Sequence, residues 1–328
     1  MTLFEQPFRN LIPKNMDSKT IDLIRSNDHL TLSRVISEIE SNSDISNEFF
    51  NEIYSLSHNS IRIGVTGPPG AGKSTLTNQI IKYFLTDNKS VGIIAIDPTS
   101  PFTGGALLGD RVRMNQYLFN DNVFIRSMGS RGDLGGLTKK AQEVGDVLAA
   151  SGKNIIIYET VGVGQGELDV SKAVDVTIVV LVPESGDEVQ LMKAGLIEIA
   201  DIFVINKSDR DGSGRLAQNL ASILHSFSKK EDLVPEVYST SANKGDGVEK
   251  FYSGLNELLK LMQNKNMLNE KKLLRHKNRI LQLVQERLLS NFWSKKKVDQ
   301  LKLAINNINS IKVSHYEVMR KLFEDKNV

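Results

Sequence analysis

The sequence predicts an α/β fold with a mostly parallel central sheet flanked by helices, and with helical regions at both ends of the chain. Two observations lead to this fold class. From about residue 61 to 260, short apolar β-branched runs alternate with longer amphipathic stretches, which is typical of parallel strands covered on both faces. On either side of this region, apolar residues recur at helical spacing. We therefore divide the chain into residues 1–60, 61–260 and 261–328.

The composition is that of a globular protein with a real core. The chain has 328 residues, of which 40% are hydrophobic and 24% are charged, and it contains no cysteine. The lack of cysteine excludes disulfides, thiol nucleophiles and cysteine-ligated zinc or iron–sulfur clusters. The sequence has no signal-peptide pattern and no apolar run near the ~20 residues of a membrane span. We expect a cytoplasmic protein without membrane association.

The first region, residues 1–60, has the pattern of a helical extension. Ile21 and Ile24 are three residues apart, and a second group follows at similar spacing: Leu32, Val35, Ile36 and Ile39. Side chains at these spacings share one face of an α-helix. The pattern predicts short amphipathic helices ahead of the sheet.

The middle region, residues 61–260, contains six runs that we interpret as strands. They are IRIGVT (61–66), VGIIAI (91–96), NIIIYE (154–159), VTIVVLV (176–182), IFVIN (202–206) and PEVYST (235–240). The central runs are apolar almost throughout rather than alternating, as in strands that are buried on both faces. The helical stretches between them are long enough to connect parallel neighbours.

The last region, residues 261–328, combines an apolar stripe with an excess of basic residues. Leu274, Leu281 and Leu288 recur every seven residues, and the region carries 15 Lys and Arg against 6 Asp and Glu. Its net charge is +9, whereas that of the preceding 260 residues is −7. An apolar stripe with basic residues on the other faces fits a self-associating helix. Because interleaved aromatic residues are lacking, we predict a helical dimerisation arm and no nucleic-acid partner.

A glycine-rich loop after the first strand has the spacing of a phosphate-binding loop. The run GPPGAGKST includes Gly67, Gly70, Ala71, Gly72, Lys73, Ser74 and Thr75. Its glycines let successive backbone N–H groups point inward at the positive end of the next helix, where they can bind an anion. Lys73 can reach the β- and γ-phosphates, and the Ser74 hydroxyl can bind Mg²⁺. Because strand, loop and helix follow in the required order, we predict a nucleoside-triphosphate site rather than an ordinary glycine-rich turn.

The strand IFVIN ends in a short polar motif. Asn206, Lys207 and Asp209 form the pattern Asn-Lys-x-Asp at the carboxyl end of a late strand. The Asp209 carboxylate can accept hydrogen bonds from the guanine N1–H and exocyclic amine, whereas adenine would leave it unpaired. Asn206 would brace the loop, and Lys207 would lie along the base. The alternative role for Asp209 is that of a helix N-cap.

A second polar loop is expected to close the base pocket through its backbone amides. It follows the strand PEVYST and contains Ser241, Ala242 and Asn243. Together with the Asn-Lys-x-Asp motif, this loop predicts GTP and GDP rather than ATP as the bound nucleotides.

Three carboxylates are candidates to hold Mg²⁺ beside the phosphate loop. Asp97 ends the strand VGIIAI, Glu159 ends the strand NIIIYE, and Asp110 follows a glycine-rich stretch. A carboxylate at such a strand end can hold Mg²⁺ through its water shell, so the predicted catalytic residues are Lys73, Asp97 and Glu159. Gly162 is placed for its backbone N–H to contact the γ-phosphate. The alternative is that these acids cap ordinary surface loops.

The sequence contains no well-placed residue to position the attacking water. Gln165 lies three residues after Gly162 rather than directly after it, and no arginine is an obvious charge-stabilising finger. We therefore expect slow intrinsic hydrolysis that a partner accelerates or gates.

Five segments together resemble the MeaB/ArgK family of P-loop GTPases. They are GPPGAGKST, DPTSPFTGGALLGDRVRM, ETVGVGQGE, PESGDEVQLMKAG and NKSD. The resemblance covers roughly residues 30–260 closely and the C-terminal helices more loosely. It implies a homodimeric G-protein chaperone, with a C-terminal dimerisation arm, whose partner is an adenosylcobalamin-dependent acyl-CoA mutase.

The resemblance also implies roles that the residues alone do not indicate. The segment from Glu184 to Lys193 is similar to a mobile loop of this family, in which Asp187 and Lys193 would link the nucleotide state to the mutase. The chain departs from the family pattern at Asn154, and it has QGE where QSE is expected. Neither departure removes a chemical group that the predicted site needs.

Two alternative functions would use a related nucleotide site. A GTPase that inserts nickel into an enzyme needs a cluster of Cys and His, whereas this chain has no Cys and five scattered His. An ATP-dependent kinase or transport-associated ATPase needs an acceptor pocket and a general base that the sequence does not reveal. Partitioning ATPases carry a further lysine where this loop reads Pro68, Pro69 and Gly70.

Overall fold

The computed structural model describes residues 16–41, 45–97, 115–117, 120–129, 134–160, 170–184, 195–227, 233–306 and 312–324. The chain forms two compact units, Met1–Lys271 and Lys272–Val328. The domain boundaries after residues 60 and 260 stay predictions. No helix within the described ranges is long and apolar enough to cross a membrane.

Seven parallel strands form one sheet in the described part of the chain, which confirms the predicted fold class. They are β1 Ile61–Thr66, β2 Val91–Asp97, β3 Val123–Gly129, β4 Ile155–Thr160, β5 Val176–Leu181, β6 Ile202–Ile205 and β7 Glu236–Ser239. Their order across the sheet is β3-β2-β4-β1-β5-β6-β7, and all neighbours are parallel. Six of them coincide with predicted runs. The sequence pattern misses the edge strand β3, whose apolar start is followed by Arg126 and Ser127.

Helices of the first unit cover both faces of the sheet. Across both units, the helices of the described residues are α1 Ser18–Arg25, α2 His29–Glu40, α3 Asn47–Leu56, α4 Lys73–Thr86, α5 Leu134–Ala150, α6 Leu196–Ile199, α7 Ser213–Phe227, α8 Val248–Asn264, α9 Met267–Phe292, α10 Lys295–Ala304 and α11 His315–Glu324. The first three begin where a side chain caps the first turn. Asp17, Asp28 and Ser46 accept hydrogen bonds from the amides of Thr20, Thr31 and Phe49.

The sheet separates two layers of apolar packing. Ile93 and Ile94 are consecutive residues of β2, and they belong to different apolar clusters because successive side chains of a strand point to opposite faces. One cluster includes Phe84 of α4 and Phe251 of α8. The other includes Ile36 of α2 together with residues of α5. The packing fixes α4, and with it the loop that enters α4, beside the carboxyl end of β1.

The N-terminal helices pack against α5 and the edge strand β3. The apolar residues of the predicted pattern are all buried: Ile21, Ile24, Leu32, Val35, Ile36 and Ile39. Glu40, at the end of α2, forms an ion pair with Arg126 of β3. Its carbonyl oxygen accepts a hydrogen bond from the Lys140 ammonium group at 2.7 Å. The N-terminal helices are therefore a layer of the first unit.

The second unit is helical and exposes much of its apolar surface. Phe292 and Phe323 stack with their ring centroids 4.5 Å apart, which joins α11 to the end of α9. By contrast, Leu274, Leu281 and Leu288 are 56%, 51% and 63% exposed. The stripe of leucines that the sequence predicts thus lies on the surface of this chain.

Candidate functional site

The predicted phosphate-binding loop connects the central strand β1 to helix α4. Strand β1 ends at Thr66, and α4 begins at Lys73 with Gly72 as its N-cap. Gly67 and Gly72 have φ angles of +133° and +85°, in the left-handed region that favours glycine. A Cβ atom on Gly67 would lie 2.0 Å from the carbonyl oxygen of Val180, so a larger residue would collide with β5. The backbone of this loop therefore requires its glycines.

Lys73 lies against the loop that precedes it. Its Nζ donates hydrogen bonds to the carbonyl oxygens of Gly67 and Pro68 at 2.8 and 2.9 Å, and the residue is buried. Gly70, with a φ of +75°, and the buried Ala71 complete the turn. A positive side chain thus sits beside backbone N–H groups at a helix N-terminus, an arrangement that attracts anions.

Ser74 and Glu159 meet beside the phosphate loop. Ser74 lies in the first turn of α4, next to the half-buried Thr75. Glu159 lies near the carboxyl end of β4, in register with Val65 of β1. The Ser74 hydroxyl donates a hydrogen bond to Oε1 of Glu159, and both residues are buried. A hydroxyl and a carboxylate are oxygen ligands of the kind that Mg²⁺ prefers, so these residues fit that ion.

One further candidate for the metal site lies at the end of β2. Asp97 is the last residue of that strand, in register with Gly129 of β3. Four other predicted residues lie outside the described residues: Asp110, Gly162, Asp187 and Lys193. Their roles stay predictions.

Asn206 joins the phosphate loop to the two loops expected to bind the base. This buried side chain directly follows β6. Its Nδ2 donates to the Ala71 carbonyl at 2.8 Å. Its Oδ1 accepts hydrogen bonds from the Ala242 amide at 3.0 Å and from the Thr240 hydroxyl at 3.2 Å. A Cβ atom on Gly72 would lie 2.3 Å from Nδ2, so the same contact explains a glycine of the phosphate loop.

Asp209 is exposed, and both of its carboxylate oxygens have partners. Oδ1 accepts a hydrogen bond from the Ser241 hydroxyl at 3.1 Å, and Oδ2 lies 3.0 Å from the Lys244 ammonium group. Hydrogen bonds from Lys244 and Ser241 lower the pKa of the Asp209 carboxyl, so it is ionised at neutral pH. Helix α7 begins only at Ser213, so Asp209 is not its N-cap. The preceding Lys207 has a φ of +56°, where the chain turns away from β6.

The loop after β7 lies between the Asn-Lys-x-Asp motif and helix α4. Ser241 and Ala242 are buried, whereas Asn243 is exposed. The Ser241 amide donates to the Asp246 carbonyl at 2.9 Å, which closes the loop. Gln79 of α4 donates from Nε2 to the Ala242 carbonyl at 2.8 Å.

Sequence reasoning missed three polar contacts of this site. Gln79 lies 163 positions before the residue that it contacts, and no motif marks it. Lys244 directly follows the predicted closing residues, and this position in the sequence is the one signal for its contact with Asp209. Arg210, directly after Asp209, forms an ion pair with Glu184 beyond the end of β5.

The fold and this arrangement of loops define a P-loop GTPase. The phosphate loop follows the central strand β1, and the Asn-Lys-x-Asp motif follows β6, two strands away in the same parallel sheet. One buried amide connects both loops. Sites in such sheets form at the carboxyl ends of the strands, where these loops lie.

The chain belongs to the MeaB family. The family model described as "Methylmalonyl Co-A mutase-associated GTPase MeaB" matches residues 32–297. A Pyrococcus abyssi protein named as a GTPase is 44% identical over 260 residues, covering 78% of this chain and 80% of that protein. GTPase ArgK of Escherichia coli strain K12 is 36% identical over 246 residues, covering 73% and 74%. The predicted family is confirmed.

A mammalian relative extends this comparison. The mouse protein named "Methylmalonic aciduria type A homolog, mitochondrial" is 36% identical over 235 residues, which cover 70% of this chain and 57% of that protein. Family membership and the names of the relatives confirm the predicted activity. The protein is a GTPase, with GTP and GDP as its nucleotides.

A solved structure has the same fold. The crystal structure of an LAO/AO transport system kinase superposes with a TM-score of 0.71 and 24% identity, covering 96% of this chain and 98% of that one. At this identity, the likeness extends to the fold and not to the activity.

Proposed function

We propose that this protein is a cytoplasmic GTPase that gates the loading, protection or reactivation of adenosylcobalamin on an acyl-CoA mutase such as methylmalonyl-CoA mutase. The observation that carries the proposal is the match of residues 32–297 to the family of methylmalonyl-CoA mutase-associated GTPases. The name of the mouse relative, which refers to methylmalonic aciduria, agrees with it.

The phosphate end of the site would bind GTP together with Mg²⁺. Lys73 and the loop amides would bind the β- and γ-phosphates. Ser74 and Glu159, which are hydrogen-bonded to each other, would hold Mg²⁺ with the help of Asp97 and Asp110. When bound, Mg²⁺ neutralises charge on the phosphate oxygens during hydrolysis.

The base end of the site would select guanine. Asp209 is ionised at neutral pH and can accept from the guanine N1–H and exocyclic amine, in place of its present donors. Asn206 would keep this loop beside the phosphate loop, and Lys207 would lie along the base. The pocket would be closed by Ser241, Ala242 and Asn243.

Two segments would communicate the bound nucleotide to the mutase. They are the glycine-rich loop at Gly162 and the segment from Glu184 to Lys193. Gly162 would donate its N–H to the γ-phosphate, so its loop would relax after hydrolysis. Asp187 and Lys193 would contact the mutase. The ion pair of Glu184 with Arg210 supports this link, because it connects the start of the second segment to the base-binding loop.

The protein would act as a homodimer through its C-terminal arm. Leu274, Leu281 and Leu288 are more than half exposed in this chain, on a helix that is otherwise rich in Lys and Arg. A continuous exposed apolar stripe marks an interaction surface. A second copy brings the same stripe, so a two-fold interface could cover both.

Nucleotide-dependent capture of a mutase tests the proposal. The immobilised protein is loaded with GDP or with a non-hydrolysable GTP analogue and incubated with purified adenosylcobalamin-dependent methylmalonyl-CoA mutase. We expect the amount of captured mutase to differ between the two nucleotides, and to stop differing in the Lys73→Ala variant. Equal or absent capture by a wild-type protein that has bound both nucleotides would contradict the proposed function.

A further inference from the structure

We propose that Gln79 is a positioning residue that ties the base-closing loop, residues 241–246, to the phosphate-binding helix and thereby sets how long a guanine nucleotide stays bound. The inference rests on the proposed function in one respect, namely that these loops surround the guanine base. It adds a residue that no nucleotide-binding motif contains.

The contact itself is specific. Gln79 lies in the second turn of α4, and its Nε2 donates to the carbonyl oxygen of Ala242 at 2.8 Å. Its Oε1 accepts a hydrogen bond from the Lys82 ammonium group at 3.3 Å, so the amide presents its nitrogen to the loop. Ala242 is 1% exposed, and its carbonyl is therefore shielded from water that could replace the glutamine.

Ala242 is held from both sides. Its N–H donates to Oδ1 of Asn206 at 3.0 Å, while its carbonyl accepts from Gln79. Asn206 in turn donates to the carbonyl of Ala71, in the loop that leads into α4. The chain of contacts runs from Ala71 of the phosphate loop through Asn206 and Ala242 to Gln79 of α4, the helix that directly follows the phosphate loop. The phosphate loop, the base-binding loop and the base-closing loop are joined in one ring.

The helix that follows the base-closing loop is also fixed to α4. Tyr252 of α8 stacks on Tyr83 of α4 with ring centroids 5.1 Å apart, and its hydroxyl donates to Asp87 at 2.6 Å. Where α8 begins, a Cβ atom on Gly247 would lie 2.2 Å from the carbonyl oxygen of Ser239, so the exit of the loop is tightly packed. With its far end held in this way, the loop can move away from the base mainly near Ala242, which is where Gln79 holds it.

Loss of the Gln79 contact should therefore accelerate nucleotide release without changing the chemistry. Without this contact, the base-closing loop breaks one hydrogen bond fewer when it opens. GDP should therefore dissociate about two- to tenfold faster. The side-chain hydrogen bonds described for Gln79 join it to Ala242 and Lys82, at the base end of the site, so hydrolysis of GTP that is already bound should keep its rate.

Two substitutions test this inference. Gln79→Leu removes the amide, and Gln79→Glu keeps its length and polarity but loses the N–H donor. Dissociation of N-methylanthraniloyl-GDP is followed by fluorescence after a chase with excess GDP, and single-turnover hydrolysis of bound GTP is measured in parallel. Gln218→Leu, an exposed glutamine of α7, is the matched control.

Both Gln79 variants should release GDP about two- to tenfold faster than wild type, with unchanged single-turnover hydrolysis and a wild-type rate in the control. Wild-type release by Gln79→Glu would overturn the inference, because it would make the donor irrelevant. A parallel fall in single-turnover hydrolysis would overturn it as well, since Gln79 would then act on the phosphate end. A wild-type protein that binds no GDP would instead refute the nucleotide site on which the inference rests.

Discussion

Replacing Asn206 by alanine should weaken guanine-nucleotide binding and destabilise the protein together. The wild-type amide makes three hydrogen bonds, to Ala71, Thr240 and Ala242, at 2.8, 3.2 and 3.0 Å. Because a hydrogen bond contributes about 0.5–1.5 kcal/mol net, their loss amounts to roughly 3 kcal/mol. Ala71 lies in the phosphate loop and Ala242 in the base-closing loop. Without the Asn206 amide these two loops lose the contact that joins them, and nucleotide binding has to order them again. Part of the lost free energy therefore appears as weaker binding and part as lower stability.

We expect the affinity for GDP to fall by about ten- to a hundredfold, or roughly 1.4–2.8 kcal/mol, and the free energy of unfolding to fall by the rest. Calorimetric titration with GDP measures the first quantity, and urea denaturation measures the second. Asn51→Ala, at an exposed position of α3, should change neither. An Asn206→Ala protein that binds GDP within twofold of wild type would refute the reasoning that this amide holds the site together.

Glu159→Gln should lower GTP hydrolysis by about 10–100-fold, the usual effect of losing an outer partner of a metal, while the glutamine can still accept from Ser74. Unchanged hydrolysis at saturating Mg²⁺ would exclude that role. Burial lowers the pKa of Lys153 from 10.5 to about 8, so the unfolded chain binds more protons between these values. The free energy of unfolding should therefore rise from about pH 8 to 10.5, and Lys153→Met should flatten this rise in urea denaturation. If both proteins show the same slope, Lys153 is not its source. Replacing the leucines of the C-terminal arm by lysine should convert the proposed dimer into monomers, as measured by analytical ultracentrifugation; the leucines are Leu274, Leu281 and Leu288. A variant that remains dimeric would place the interface elsewhere.

The sequence predicts the central strands most directly, because most of their residues are apolar. Strands β1, β4 and β5 lie in the centre of the sheet, and every residue of β4 and β5 is buried, so their composition alone marks them. Strand β3 lies at the edge and includes Arg126, which is neutralised by Glu40 of α2. Arg126 can be placed in a strand only once it is known that α2 packs on β3 and supplies the partner Glu40. The N-terminal pattern predicts α1 and α2 but not the surface that they cover.

The same distinction holds within the site. The phosphate loop and the Asn-Lys-x-Asp motif are contiguous, and their chemistry follows from residue types at fixed spacing. The contact of Gln79 with Ala242 joins residues 163 positions apart, and it depends on how α4 packs beside the sheet. Lys244 is recognisable as a partner of Asp209 only after β6 and β7 are placed side by side. Local motifs therefore predict the chemistry of the site, whereas tertiary packing supplies the residues that hold it in place.

The base specificity of Asp209→Asn tests the central claim most directly, namely that this chain is controlled by guanine nucleotides. Asparagine offers an N–H donor where aspartate offers an acceptor, which suits the 2-oxo group of xanthine instead of the 2-amino group of guanine. Affinities for GDP and xanthosine diphosphate are measured for wild type and variant under identical Mg²⁺ and salt. The account predicts that wild type prefers GDP and that the variant prefers xanthosine diphosphate. A variant that keeps the wild-type preference for GDP would contradict it.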